Sequence, residues 1–227
     1  MQDQPVEDGR RPLGASARRT RVAVQSIAPA ARRVSPAPVF VVTGPSGAGK
    51  GTLIRMLVER IPVLEVAISA TTRPLRPGER DGVEYHFLDE EDFGGRIEEG
   101  AFLEHVEYVS GKRYGTLRSE IDRVADDGRI CVLELELDGA LRVQQDVPGS
   151  VTLFIAAPVE ELERRLRERA TESTGEIGDR IDLARRQLEQ AHRFRYMVRN
   201  DDVARATGSL CAIVERELAF AATLSPS

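Results

Sequence analysis

Apolar and polar residues follow two different periods along the chain from residue 39 onward. Short runs rich in Val, Leu, Ile and Phe predict strands, which we place at residues 39–42, 64–69, 84–88, 102–109, 130–137 and 150–156. Apolar residues that recur every three or four positions predict helices, which we place at residues 52–61, 91–98, 117–125, 159–169, 177–194 and 203–223. Because strands and helices alternate, we expect an α/β fold in which helices cover both faces of a parallel sheet.

Residues 1–37 lack a sustained apolar period and are rich in Arg, Ala, Ser and Pro. They carry seven arginines against three acidic residues, a local charge of +4, and lead into the Pro-rich run SPAP. We expect a disordered basic tail over residues 1–37 and a folded domain over residues 38–224. The charge fits either a solvated tail or a tether to an acidic surface. The acids Asp3, Glu7 and Asp8 disfavour an organelle-targeting sequence.

The composition is typical of a soluble globular protein, with 41% hydrophobic and 30% charged residues in a chain of 227. No apolar run reaches the roughly 20 residues that cross a bilayer, and no basic segment followed by an apolar one opens the chain. We therefore expect a cytoplasmic protein with no membrane partner. The net charge of −5 disfavours nucleic acid as a main partner.

The cysteines and histidines show no metal-binding pattern. Cys131 and Cys211 lie in apolar surroundings without C-x-x-C spacing, so we expect buried reduced thiols and neither a disulfide nor a metal site. The histidines are scattered along the chain and form no ligand cluster: His86, His105 and His192.

A glycine-rich loop follows the first predicted strand, with the sequence GPSGAGKGT from Gly44 to Thr52. Glycine lets backbone N–H groups converge on an anion at the start of a helix, and Lys50 can reach the outer phosphates. The pattern G-x-x-x-x-G-K-[ST] between strand and helix predicts a site for a nucleotide polyphosphate. The alternative is a glycine-rich turn with an incidental lysine. One position departs from the pattern, because Gly51 stands where a hydroxyl for Mg²⁺ is expected and Thr52 supplies it one residue later.

A second loop, SATTRPLRPGE over residues 69–79, carries Arg73 and Arg76 between two prolines. The planar fork of arginine matches phosphate oxygens, and proline reduces the entropy lost in holding it in place. The alternative is a surface loop in which the arginines pair with Glu79 or Asp81. Taken alone, this loop favours neither interpretation.

From about residue 39 to about residue 220 the chain resembles guanylate kinase. The resemblance rests on segments in that family's order and approximate spacing: GPSGAGKGT, SATTRPLRPGE, DGVEYHF, FLEH, YGT and the acidic LELELDG. It implies a P-loop NTPase-type parallel sheet with an inserted GMP-binding module and a helical lid. The implied boundaries are a core over residues 38–70, 119–157 and 194–224, an insertion over residues 71–118, and a lid over about residues 158–193.

The resemblance implies an enzyme that phosphorylates GMP, and also dGMP, with ATP and Mg²⁺ in purine nucleotide metabolism. The residues that match the family's GMP site are, for the phosphate, Arg73, Arg76, Tyr85 and Tyr114, and for the base Ser69, Glu104 and Thr116. The chemistry agrees, because the guanine edge offers N1–H and N2–H donors beside the O6 acceptor, and a carboxylate flanked by hydroxyls is its complement. Adenine leaves Glu104 without these partners.

The acidic segment of residues 133–139 matches a family segment near Mg²⁺ and the guanine amino group, although the usual form has aspartate at Glu136 and glutamine at Asp138. We assign Glu136 to GMP, and Glu134 with Thr52 to Mg²⁺, which we expect phosphates and water to hold mainly. Strand alternation puts Glu134 and Glu136 on one face, which opens on the active site if the strand is central. The alternative is an edge strand with a solvated face.

The resemblance also assigns the lid arginines Arg165, Arg169 and Arg180, with alanine at 170 where the family has glycine. Pairs four residues apart, such as Glu161 and Arg165, are a structural alternative. The implied ATP contacts are Gly44, Ser46, Gly47, Ala48, Gly49, Lys50, Gly51, Thr52 and Asn200. The implied catalytic residues are Lys50, Arg73, Arg165, Arg169 and Arg180.

Two other functions remain open at this point. A kinase for another small molecule is one, because the wording G-K-G-T also resembles adenylate kinase. A non-catalytic module of guanylate-kinase likeness that binds proteins is the other, although such modules typically lose the phosphate loop and Lys50 is present here. The sequence carries no signal for an oligomeric state.

Overall fold

The computed structural model describes residues 38–107, 111–168 and 174–224. Its strands are, in chain order, β1 (Phe40–Thr43), β2 (Leu64–Val66), β3 (Ser69–Thr71), β4 (His86–Phe87), β5 (Phe102–Glu107), β6 (Arg113–Leu117), β7 (Ile130–Glu134), β8 (Val151–Ala156) and β9 (Tyr196–Arg199). Its helices are α1 (Lys50–Arg60), α2 (Glu90–Glu98), α3 (Arg118–Asp126), α4 (Leu137–Asp146), α5 (Val159–Glu168), α6 (Thr174–Glu189), α7 (Val203–Leu224) and a 3₁₀ helix (Ala191–Arg193).

The first sheet has the order β2-β7-β1-β8-β9 and is parallel throughout. All four residues of its central strand β1 are buried, as the uninterrupted apolar run requires of a strand covered on both faces. Phe40 and Val42 pack with α1 and α7, whereas Val41 packs with α3 and α4 on the opposite face. The predicted α/β fold with helices on both faces of a parallel sheet is therefore confirmed.

The second sheet has the order β4-β3-β6-β5, with β6 antiparallel to both of its neighbours. It has a small core of its own, in which Phe93 of α2 stacks on Phe102 of β5 at 4.4 Å between ring centroids. The predicted strand over residues 64–69 was wrong as a single element, because its two ends pair in different sheets. An apolar run does not show which sheet a strand joins.

The predicted strand over residues 130–137 is three residues too long. β7 ends at Glu134, and α4, which the strand pattern did not predict, begins at Leu137. The alternation LELEL continues the strand period into the helix, where Leu137, Ala140 and Val143 are buried at helical spacing. β7 lies between β2 and β1, so the edge-strand alternative for the acidic segment is wrong.

Other boundaries differ from the predictions by smaller amounts. The helix predicted to reach residue 194 ends at Glu189, and the short strands β6 and β9 were not predicted, because both mix polar and apolar residues. The strand predicted over residues 84–88 is reduced to His86–Phe87. The predicted tail and the ends of two predicted elements, residues 108–109 and 169, lie outside the described residues.

Both cysteines are buried and unbonded, with the pKa of the Cys131 thiol raised to about 12, chiefly by burial. Within the three described ranges, no group of three or more His, Cys, Asp or Glu residues is gathered as a metal site. None of the described helices combines the length and the apolar character that crossing a bilayer requires.

A buried carboxylate joins the two sheets. Glu120 of α3, whose side chain is 4% exposed, accepts hydrogen bonds from Ile68 N between the sheets (2.8 Å) and from His86 Nε2 of β4 (3.0 Å). Arg123 donates to the same carboxylate at 3.1 Å through two nitrogens and to Glu65 of β2 at 2.6 Å. Burial disfavours the charge of Glu120, but these hydrogen bonds outweigh it and lower the pKa of the carboxyl.

We expect Glu120→Ala to lower the free energy of unfolding by about 1–3 kcal/mol, because it leaves the part-buried N–H of Ile68, His86 Nε2 and two donors of Arg123 without their acceptor. Urea denaturation measures the change. The matched control is Glu59→Ala, which removes an exposed helical partner of Arg55 and is expected to cost below about 0.5 kcal/mol. Equal losses in the two variants would contradict the assignment of Glu120 as the link between the sheets.

Candidate active site

A cleft of about 570 Å³ opens between the two sheets. Residues from β2 and β7 of the first sheet and from β3, β5 and β6 of the second contribute to its walls. Seven residues predicted from sequence line it together: Lys50, Ser69, Tyr85, Glu104, Tyr114, Glu134 and Glu136. The structure thus gathers into one cavity residues that are up to 86 positions apart in the sequence.

The glycine-rich loop lies at one end of this cleft, between β1 and α1. Gly44 has a φ of 142°, and a Cβ on it would lie 2.2 Å from the carbonyl oxygen of Ile155 on β8. Gly49 has a φ of 85°, and a Cβ there would lie 2.5 Å from the side-chain nitrogen of Asn200. Both positions therefore require glycine, for backbone conformation and for space.

Lys50 is the first residue of α1, and its ammonium folds back over the loop. Its Nζ donates to the carbonyl oxygen of Gly44 at 2.8 Å. Glu134, at the carboxyl end of the neighbouring strand β7, faces the same space. Burial raises the pKa of Glu134, the charge of Lys50 opposes the rise, and Glu136 adds to it.

Asn200 packs against the loop and hydrogen-bonds to its backbone. It is 1% exposed, and its Nδ2 donates to the carbonyl oxygen of Ala48 at 2.7 Å, while its backbone N–H donates to Ala156 at 2.7 Å. Its Oδ1 is buried without a hydrogen-bond partner among the described residues. The sequence did not indicate this supporting role, and the predicted contact of Asn200 with a nucleotide base stays a prediction.

Two of the predicted lid arginines reach the loop from α5 and α6. Arg165 donates to the carbonyl oxygen of Gly47 at 3.1 Å, and Arg180 donates to Ser46 Oγ at 2.7 Å. Arg165 also pairs with Glu161 at 2.7 Å, so the helical pair offered as an alternative exists beside the loop contact. Arg169 lies outside the described residues.

The predicted base-reading residues form a row across three adjacent strands of the second sheet. Thr116 of β6 is paired in register with Ser69 of β3 on one side and with Glu104 of β5 on the other. Residues paired in register present their side chains on the same face of a sheet. The hydroxyl of Thr116 donates to Glu104 Oε1 at 3.0 Å.

Glu104 carries the most perturbed carboxyl of this row. Burial raises its pKa to about 7, against the hydrogen bonds from Thr116, which favour the charged form. Glu136 across the cleft raises the pKa further, and Arg142 lowers it. The carboxyl therefore changes its charge near neutral pH and lacks a strong cationic partner.

The arginine loop lies beside this row, but its arginines are not among the described residues that line the cleft. Arg73 forms a two-point pair with Glu79, at 2.9 and 2.8 Å, as the surface-loop alternative proposed. Its guanidinium also lies 5.3 Å from the ring centroid of Tyr85, which does line the cleft. Arg76 is exposed. Asp81, the other acid offered as an arginine partner, accepts a hydrogen bond from the backbone N–H of Phe87.

The contact between Arg73 and Glu79 uses the fork geometry by which arginine binds phosphate. The hydrogen bond from Arg73 is the main cause that lowers the pKa of Glu79. To bind a phosphate, Arg73 must either use the N–H groups that do not contact Glu79 or release Glu79. This phosphate-binding role stays a prediction. The two predicted tyrosines, Tyr85 and Tyr114, are in edge-to-face contact at 6.0 Å.

Gly51 and Thr52 occupy the exposed first turn of α1. A Cβ at Gly51 would lie 3.9 Å from Glu134 Oε2, so the position where related loops carry a hydroxyl faces this carboxylate. Glu134 therefore lines the space beside Lys50 and the loop.

A protein-family model described as guanylate kinase matches residues 37–217. The guanylate kinase of Frankia casuarinae is 43% identical over 180 residues, which are 79% of this chain and 97% of that protein. That of a Synechococcus species is 42% identical over 177 residues, 78% of this chain and 81% of the relative. The crystal structure of guanylate kinase from Anaplasma phagocytophilum matches with a TM-score of 0.63 and 27% identity, over 80% of this chain and 86% of that one. The chain therefore belongs to the guanylate kinase family.

Proposed function

We propose that this chain transfers the γ-phosphoryl group of ATP to GMP and releases GDP and ADP. The observation that carries the proposal is one cleft that is lined both by Lys50 of the loop and by Ser69 and Glu104 of the base-reading row. A phosphate site and a base site that open on one cavity suit a transfer between two bound nucleotides. The family supports the same reaction.

Glu104 is the residue that selects guanine in this proposal. Its ionised carboxylate accepts from the N1–H and N2–H groups of the base, and the hydroxyls of Ser69 and Thr116 flank it. AMP offers an acceptor at N1, so the half-buried carboxylate of Glu104 would face it without a donor. Sites with buried hydrogen-bonding groups reject such substrates strongly, because those groups are left unpaired.

The reaction depends on alignment and on neutralisation of charge. Backbone N–H groups of the loop and Lys50 hold the phosphates of ATP, and Arg165 and Arg180, already in contact with the loop, stabilise the transferred group. Arg73 holds the acceptor phosphate beside Tyr85. Closure of the lid keeps water away from the γ-phosphate.

The residues present fit a Mg²⁺ ion that is held mostly by phosphates and water. Mg²⁺ commonly uses one or two carboxylates in such sites, and Glu134 supplies one beside Lys50, with Thr52 on the first turn of α1. Desolvation and Glu136 raise the pKa of Glu134 although Lys50 opposes the rise, so a cation beside this carboxylate would favour its charged form. When bound, the ion neutralises charge on the β- and γ-phosphates.

The proposal includes dGMP as an acceptor, because the row that reads the base makes no use of the sugar. It also places the protein in the cytoplasm and in purine nucleotide metabolism. A protein-binding module without catalysis is disfavoured, since the loop is present and Lys50 and both described lid arginines hydrogen-bond to it.

A panel of acceptors with ATP tests the reaction directly. We expect GMP to be phosphorylated in strong preference to AMP in a coupled assay that measures ADP.

Lys50→Ala should lower turnover by about 100-fold or more, because it removes the ammonium that hydrogen-bonds across the loop and is assigned to the phosphates of ATP. The control is Arg55→Ala on the exposed side of the same helix, with expected wild-type turnover. Preference for AMP, or near-normal turnover by Lys50→Ala, would refute the assignment.

The pKa of Glu104 predicts how activity depends on pH. Because only the carboxylate accepts from guanine, kcat/KM for GMP should rise up to tenfold per pH unit below about pH 7 and then level off. The phosphate of GMP itself titrates near pH 6, so the profile of Glu104→Gln is the control to subtract. Thr116→Val should move the midpoint upward, because the Thr116 hydroxyl lowers the pKa of Glu104.

The same carboxyl predicts a trend in stability. The unfolded chain loses this proton near pH 4.5 and the folded chain near pH 7, so the contribution of Glu104 to stability is present below about pH 4.5 and is lost as the pH rises to about 7. Urea denaturation of the wild type and of Glu104→Gln over this range measures the difference. Parallel pH profiles in both assays would contradict the role of Glu104.

A further inference from the structure

Gly139 stands in the first turn of α4, where it is buried. A glycine inside a helix is less favourable than alanine by roughly 0.5–1 kcal/mol. The backbone does not require it, since Gly139 is not among the described glycines with a positive φ. The reason for a residue without a side chain must therefore lie in its surroundings.

The three heavy atoms nearest to a Cβ at Gly139 all belong to one side chain. A Cβ built there would lie 2.9 Å from Cγ, 3.1 Å from Oε2 and 3.2 Å from Cδ of Glu104. The helical glycines Gly95, Gly178 and Gly208 have no neighbour within 4 Å of the same point. Among these helical glycines the conflict is thus particular to Gly139, and it falls on Glu104, the carboxylate that the proposed function assigns to guanine.

Glu104 is held on two sides. Thr116 donates to Oε1 from β6, in the second sheet, and the backbone of α4, which packs on the first sheet, lies against Cγ and Oε2. The backbone of α4 therefore limits how far the Glu104 carboxylate can move toward the first sheet. A methyl group at Gly139 requires a shift of a few tenths of an ångström, since real Cβ contacts are essentially never closer than 3.0 Å, and the side chain of Glu104 is the group in contact.

We propose that Gly139 is a positioning residue that determines selectivity for guanine, because its missing side chain sets the place of the Glu104 carboxylate. The inference rests on the proposed function. Gly139 touches no substrate and acts through Glu104 alone. Hydrogen bonds weaken steeply when their geometry is lost, so a displacement of Glu104 disturbs the contacts to N1–H and N2–H together.

IMP distinguishes this role from a structural one. Its base keeps N1–H but lacks the 2-amino group, so the Glu104 carboxylate makes one hydrogen bond to IMP and two to GMP. Displacement of the carboxylate therefore costs GMP more than IMP, and the ratio of their kcat/KM values falls toward one. The base of dGMP equals that of GMP, so the ratio of GMP to dGMP should not change.

The experiment compares Gly139→Ala with Gly208→Ala and the wild type, with saturating ATP and with GMP, IMP and dGMP as acceptors. Gly208 lies in an exposed part of α7, where alanine meets open space. For Gly139→Ala we expect the GMP to IMP ratio to fall by about fivefold or more, within the range of one lost hydrogen bond. KM for ATP and the ratio of GMP to dGMP should stay at wild-type values. Thermal unfolding should remain cooperative, because the gain in helix propensity offsets part of the cost of the close contact with Glu104.

The outcomes separate the two proposals. A wild type that does not phosphorylate GMP overturns the proposed function and this inference with it. Normal GMP activity together with an unchanged GMP to IMP ratio in Gly139→Ala overturns the inference alone, even if turnover falls for every acceptor. Both acceptors are assayed on one preparation, so the folded fraction cancels in the ratio. A Gly139→Ala variant with no cooperative unfolding also overturns it, because the inference requires α4 to accept alanine.

Discussion

A buried carboxylate helps to hold together the two sheets that form the cleft, and Leu103 of the second sheet packs in the core of the first. Glu120 receives hydrogen bonds from the crossover between the sheets, from His86 of the second sheet and from Arg123, which also pairs with the first sheet. Charged groups in such a position are weak sources of net stability, but breaking one is costly, so they favour a single arrangement. The distance between the loop and the base-reading row depends on this arrangement, because neither sheet carries the whole site.

The electrostatics of the cleft are set by carboxylates that outnumber their local cations. Burial raises the pKa of both Glu104 and Glu134, and Glu136 contributes to each rise. Such groups gain when a ligand brings donors or a cation to them. In the proposed reaction the guanine base would supply donors to Glu104, and Glu134 would help to hold a divalent cation. Binding of the proposed substrates would therefore stabilise the charged forms of Glu104 and Glu134.

Three of the predicted site arginines show the opposite state, because each of them is already bound to an oxygen atom of the protein. Arg165 holds the carbonyl of Gly47, Arg180 holds the hydroxyl of Ser46, and Arg73 holds the carboxylate of Glu79. These contacts place the guanidinium groups near the loop and beside Tyr85 before any nucleotide arrives. Side chains that are held in position lose less entropy when they bind a phosphate.

Local pattern was sufficient for the alternation of strands and helices, for the phosphate loop and for the family, because each depends on residues close in sequence. The register of Ser69, Thr116 and Glu104 was not visible in this way, since β6 is short and mixed and its pairing is a long-range choice. The end of β7 was hidden because LELEL satisfies the strand period where the chain already turns into α4. The burial of Asn200, the pairing of Arg73 with Glu79 and the contact of Gly139 with Glu104 were decided only by packing between distant segments. A sequence states which groups are available, and the tertiary structure decides which of them meet and with what charge.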